Sequence, residues 1–188
     1  MYKIAITLIL LALLPCSGAA AERGERRDIP IPLQIQIFLK IITYDRSFDN
    51  GTPAPYQVGV VLRNMEEPSD ERIFRQVSDA LSKKTILGRP LVPVKLLFRK
   101  GQLSPSEPLP DMLVLIGNWE EDGDKVAEFA RKHHRLTFGS DVALLESGVA
   151  VVMSLEGSRP VIHVNLTEAK AGGADFHANF LKHCRVIR

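Results

Sequence analysis

Three short apolar runs constrain this chain more than anything else in it: 57–62 (QVGVVL), 91–98 (LVPVKLLF) and 112–116 (MLVLI). Each is strand-length and bounded by turn residues, and the last, continuous and apolar, is what a strand covered on both faces requires. A helical pattern separates the first two runs. From Ser69, a candidate cap, Ile73, Phe74, Val77, Ala80 and Leu81 recur at the spacing of one buried helical face, and Gly88 and Pro90 close the unit. Pro93 lacks an amide donor and pushes its strand towards an edge or a bulge.

Past a proline-rich loop at 99–110, Asp122 or Asp124 can cap another helix, with Val126, Phe129, Ala130 and His133 turned inward. A short strand follows at 136–138. After Gly148, VAVVMSL and VIHVNL flank a Gly-containing turn and predict a β-hairpin. The segment 33–46 is ambiguous: Leu33, Ile35, Ile37, Leu39 and Ile41 alternate like a strand, while Leu33, Ile37, Phe38 and Ile41 fit one helical face. Strands alternating with helices, then a late hairpin, predict a single α/β layered domain over 33–188. Its mixed sheet is mainly parallel, flanked by helices, and ends in a C-terminal β-hairpin plus helix.

The chain begins with the layout of a cleaved secretory signal peptide over 1–21. Lys3 precedes an apolar run from Ile4 to Leu14, and small residues end at Ala21. That run is too short to span a bilayer, which takes about 20 residues. Leu13-Leu14-Pro15-Cys16 has the cysteine of a bacterial lipoprotein box, but proline just before the cysteine argues against lipidation. Residues 22–32 start as a charged stretch without apolar periodicity and are expected to be a disordered leader. Of the two cysteines, only Cys184 would remain after cleavage, so no internal disulfide is expected. Basic and acidic residues number 24 and 22 and are interspersed, a balance that favours neither a nucleic-acid partner nor a membrane-surface binder.

Three of the five histidines, His163, His177 and His183, crowd with Cys184 into the last stretch of chain. Alternation in VIHVNL puts His163 on the opposite face from Ile162 and Val164. Asn165 and Glu168 have the spacing of a capping box, so LTEAKA predicts a short helix ended by Gly172 and Gly173. Asp175 can cap a final helix, on which Phe176, Phe180, Cys184 and Ile187 form one apolar stripe. His177 and Cys184 would then share a face but lie about 10 Å apart along the axis, too far for one metal ion. Cys184 reads as a small core hydrophobe. No metal or cofactor is expected.

The chain has no GxSxG elbow, phosphate loop, GxGxxG or HExxH. The clusters Glu66-Glu67 and Glu120-Glu121-Asp122 sit beside turn residues and read as solvated charge. Asp45 and Arg46 read as a helix-end ion pair. Asn50-Gly51-Thr52 and Asn165-Leu166-Thr167 match glycosylation sequons by pattern only. No enzymatic activity is expected.

The stretches IFLKIITYDRSF, YQVGVVL, ILGRPLVPVKLL, MLVLIG, LTFGSD and GVAVVMSLEGSRPVIHVNLTEAKAGGADFHANFLKHCRVI, in that order, resemble the YfiR family of bacterial periplasmic proteins. The closing pattern carries the most: a glycine, a hairpin, Asn-Leu after its second strand, a short helix, and Asp-Phe. The resemblance implies that the ambiguous first segment is a helix. It also implies a periplasmic inhibitor that binds the periplasmic part of an inner-membrane diguanylate cyclase and restrains cyclic-di-GMP synthesis; the expected partner is thus an inner-membrane signalling protein, such a cyclase or else a sensor kinase. Disulfide state modulates the family's characterised type; this chain departs there, because Cys184 alone cannot form an internal disulfide. A homodimer is compatible with the sequence.

The alternative is a periplasmic small-ligand-binding module feeding a sensor. In an α/β sheet the ligand would sit beyond the carboxyl ends of the parallel strands. The candidates there are Arg63 and Asn64, after the first strand, and Gly117 and Asn118, after the third.

Overall fold

The computed structural model describes residues 29–48, 54–64, 66–104 and 107–188. The expected signal peptide, Cys16, most of the charged leader and the Asn50 sequon lie outside these residues. In chain order the elements are α1 (Ile31–Ile42), β1 (Tyr56–Leu62), α2 (Pro68–Leu81), β2 (Thr85–Ile86), β3 (Arg89–Arg99), β4 (Gln102–Leu103), β5 (Met112–Leu115), α3 (Gly123–Lys132), β6 (Leu136–Gly139), the 3-10 turn η1 (Val142–Leu145), β7 (Val151–Glu156), β8 (Arg159–Asn165), α4 (Leu166–Ala171), α5 (Ala178–Leu181) and β9 (Arg185–Ile187). Among the described residues no helix is long and apolar enough to cross a membrane.

The fold is α/β, with one mixed sheet in the order β2-β3-β1-β5-β6-β7-β8-β9, and β4 pairs with β3. Strands β3, β1, β5, β6 and β7 are mutually parallel, and β7 and β8 form the antiparallel hairpin. Because side chains alternate across a strand, β1 feeds two cores. Val58, Val60 and Leu62 meet Ile35 and Phe38 of α1 and Val77 and Leu81 of α2. On the other face Val61 meets Val126 and Ala130 of α3 and Leu144 of η1. At Gly139 an added Cβ would lie 2.7 Å from Leu144 Cδ1, so η1 seats on β6 only because that position has no side chain.

The ambiguous first segment is the helix α1. Every central strand already has two neighbours, whereas one sheet face needs a cover, and a helix supplies it. Its buried stripe is Gln34, Ile35, Phe38, Ile41 and Ile42, while Leu33 is 42% exposed. Phe38 meets Phe138 of β6 with ring centroids 4.7 Å apart. The helix starts two residues before the boundary expected at 33, and Ile29 is already buried, because apolar side chains there reach the core.

Four local expectations are corrected. Ser69 does not cap α2: Glu67 occupies that position, and Ser69 lies inside the first turn behind Pro68, a residue suited to a helix start. Asp175 does not cap the last helix, whose N-cap is His177. That helix stops at Leu181, and Arg185–Ile187 form β9, parallel to β8. The free edge of β8 offers more than a further helical turn would, and β-branched Val186 and Ile187 suit a strand. Cys184 therefore lies in a turn, half-buried, with its thiol 3.4 Å from Phe180 O. Asp45 and Arg46 do not pair with each other; they reach the Asp175 corner, 130 and 129 residues away. Arg46 Nη2 donates to Asp175 Oδ1 at 2.6 Å, and Asp45 Oδ1 accepts from Asp175 N at 2.7 Å and Ser47 N at 3.0 Å. The backbones also pair, between Asp45 and Phe176.

Candidate functional site

The parallel strands reverse their order between β1 and β5. From β1 the chain crosses to β3 on one side, and from β5 it runs through β6 and β7 on the other. Such a reversal leaves a crevice beyond the carboxyl ends of the two strands. Since Val60 is paired with Val114, Arg63 and Asn64 leave β1 beside the point where Gly117 and Asn118 leave β5. The structure thus brings the four sequence candidates side by side at the carboxyl ends of β1 and β5, where a strand-order reversal is expected to leave a crevice.

Each strand end is tied by its own backbone. Asp70, in the first turn of α2, reaches back so that Oδ2 accepts from Arg63 N at 2.6 Å and Asn64 N at 2.8 Å. Asn64 Oδ1 accepts from Glu66 N. On the β5 side, Asn118 Oδ1 accepts from Glu120 N, and Gly117 N donates to Ser140 Oγ at 3.2 Å. Gly117 has φ +91°, a backbone state that glycine adopts without strain. The carbonyl oxygens of both asparagines are thus spent on holding these ends. The Asn118 amide NH2 group and the Arg63 side chain remain outside these loop ties.

Arg63 reaches from the end of β1 to residues that follow β5. Its guanidinium lies 4.5 Å from the ring centroid of Trp119, and Nη2 is 3.4 Å from Asp122 Oδ2. Trp119 is buried, donates Nε1–H to Ile116 O at 3.1 Å and meets the edge of Phe98. Asp122 also receives Lys125 Nζ at 2.7 Å, a bond that raises the lysine above its ordinary pKa. Stacking on an aromatic face keeps the guanidinium flat while its N–H edge stays open to a carboxylate or carbonyl. Asp122 already serves two cations, so a ligand anion could take Arg63 and leave Asp122 with Lys125.

The partners Asp70, Trp119, Asp122 and Ser140 escape sequence reasoning, because each contact joins different elements. One signal was available: Trp119, the chain's single tryptophan, directly follows Asn118.

The C-terminal histidines do not gather. His163 is buried on β8 with Nε2 2.8 Å from Ser154 Oγ, and His177 and His183 are exposed at either end of the α5 turn. Burial pushes the Cys184 thiol up to about 11, which makes it a poor nucleophile at neutral pH. Among the described residues no three His, Cys, Asp or Glu side chains come together in a way that could hold a metal ion.

No family model matches the chain, and no curated protein matches it. Among solved structures, 11 chains match. One is a conserved domain protein from Vibrio cholerae O1 biovar El Tor strain N16961, at 13% identity and a TM-score of 0.58, covering 85% of this chain and 60% of that one. Another is the ABC domain in complex with L-Trp from Streptococcus pneumonia, at 13% identity and a TM-score of 0.54, covering 84% and 62%. The chain therefore spans about 60% of the length of these two structures. At such identities the likeness is one of fold: a layered α/β domain.

Proposed function

We propose that this protein is an exported, non-catalytic regulator of the YfiR kind, which binds an inner-membrane signalling protein, a diguanylate cyclase or sensor kinase, and restrains it. The observation that carries this reading is the junction of the two ends of the resemblance. TYDR, near its start, and the Asp-Phe of its closing pattern interlock through Asp45, Arg46 and Asp175. Asn165, the asparagine of that pattern, caps α4 by accepting from Glu168 N. The residues that carry the likeness are thus the ones that close this fold, which supports the likeness more than scattered surface identities would. Membranes from the native host, passed over the tagged protein, should yield a cyclase or sensor kinase. Recovery of neither, under conditions that retain other periplasmic complexes, sinks the reading.

A second reading has its own observation. The crevice at the strand reversal, with Arg63 lying on Trp119, is where an α/β fold binds small molecules, and one structure of similar fold was solved with L-Trp. On this reading the protein is a periplasmic ligand-binding module feeding a sensor, with Arg63, Asn64, Gly117 and Asn118 at its site. Calorimetry with L-Trp and a thermal-shift screen of small carboxylates and amino acids test it. Binding that Arg63→Ala weakens at least tenfold supports the crevice; a screen that never raises the melting temperature rejects it.

A further inference from the structure

At the far edge of the sheet, one face of β7, β8 and β9 carries a polar cluster that neither the crevice nor the Asp175 corner uses. His163 of β8 is only 7% exposed, and its Nε2 lies 2.8 Å from Ser154 Oγ of β7. On its other side His163 is the register partner of Arg185 in β9, and Arg185 is ion-paired with Glu156 of β7. The turn η1 packs on β7 and β8 but brings only Val142, Ala143, Leu144 and Leu145. Helix α4 packs on β8 and β9, with Glu168 turned to Arg131 and Lys170 lining a separate cleft with Arg188. The charges that act on the imidazole are therefore Arg185 and Glu156.

Strand β9 is lightly held. It has three residues, all exposed, and among the described residues no strand lies beyond it in the sheet. Short edge elements with few buried contacts open at the lowest free-energy cost.

We propose that β9 is an acid-released edge: protonation of His163 places a second cation beside Arg185 and loosens β9 from β8. Adjacent strands run about 4.8 Å apart, so two cations at paired positions repel within a half-buried setting. The Ser154 contact survives protonation, because the hydroxyl can accept from Nε2–H as readily as it donates to the bare nitrogen. What changes is the charge facing Arg185. Burial first, and Arg185 second, hold the imidazole below its ordinary value of 6.5, against the pull of Glu156. The closed edge thus prefers the neutral ring. Well above pH 6.5 the ring is neutral in both states and pH has no leverage. Below that value the open edge takes up the proton first, favouring release by up to about tenfold per pH unit until the closed state protonates too.

Native-state hydrogen exchange of residues 185–187, corrected for intrinsic rates, tests the device between pH 7.5 and pH 5.5, where ordinary glutamates stay ionised. Protection should fall at least fivefold on acidification in the unaltered protein, while β5 stays protected. His163→Gln, which can still hydrogen-bond Ser154, should abolish the fall. Arg185→Gln, an exposed change that leaves the fold intact, should reduce it to less than twofold. Equal protection at both pH values in the unaltered protein overturns the proposal, as does a full fall in either folded variant.

Discussion

Two aspartates hold opposite ends of the sheet, and they do so differently. Asp70, at the carboxyl ends of the parallel strands, accepts from Arg63 N and Asn64 N, which lie seven and six residues away. Asp45, at the amino ends, accepts from Ser47 N, the Ser47 hydroxyl and Asp175 N, the last across 130 residues. The upper knot is a local loop tie that shapes the crevice and can change without disturbing the rest. The lower knot is a closure that joins the first helix to the last corner of the chain. An end built from local ties suits recognition, whereas an end built from long-range bonds suits stability.

That contrast can be broken. Asp45→Ala removes a charged acceptor serving three donors, and the expected loss is about 2–3 kcal/mol of global stability in chemical denaturation. A loss below about 1 kcal/mol would make the two knots equivalent. Asp70→Ala should cost less, about 1–2 kcal/mol, with the damage confined to faster amide exchange at Arg63 and Asn64.

Two built-in probes sharpen the comparison further. Cys184 follows Phe180, which stacks on Tyr44 beside the lower knot. With its thiol held up to about 11, it should react slowly with maleimide at pH 7.5 in the native protein. The rate should rise severalfold in Asp45→Ala and stay unchanged in Asp70→Ala, as read by mass spectrometry of the Cys184 peptide. The smallest stability effect belongs to Arg63→Ala, within about 0.5 kcal/mol because the side chain is exposed. The fluorescence of the single tryptophan, Trp119, should nonetheless change as the guanidinium leaves its ring.

The centre of the parallel half was legible in the sequence because β1 and β5 are buried on both faces. The expected runs 57–62 and 112–116 match β1 and β5 to within a residue at each end. The strand ends were legible for a related reason. Once the buried runs are placed, their carboxyl ends are known, and Arg63, Asn64, Gly117 and Asn118 fall just past β1 and β5. What failed was the last stretch, where a helical stripe through Phe176, Phe180 and Cys184 extended to Ile187. Local periodicity cannot register the vacant edge of β8, which captures Arg185–Ile187 as a strand. The same blindness to distant partners turned Asp45 and Arg46 into a neighbouring pair and hid Trp119, Asp122 and Asp70 from the site.

The span of the lower knot has a kinetic meaning. Bringing together residues 130 positions apart carries a loop-closure cost that no local contact repays, so the Asp45–Asp175 bonds belong among the last to form. Interactions absent from the folding transition state act on the rate of opening. The knot is therefore a latch on the native state. Cutting it should steepen loss of the folded protein over time while leaving the speed of refolding nearly where it was.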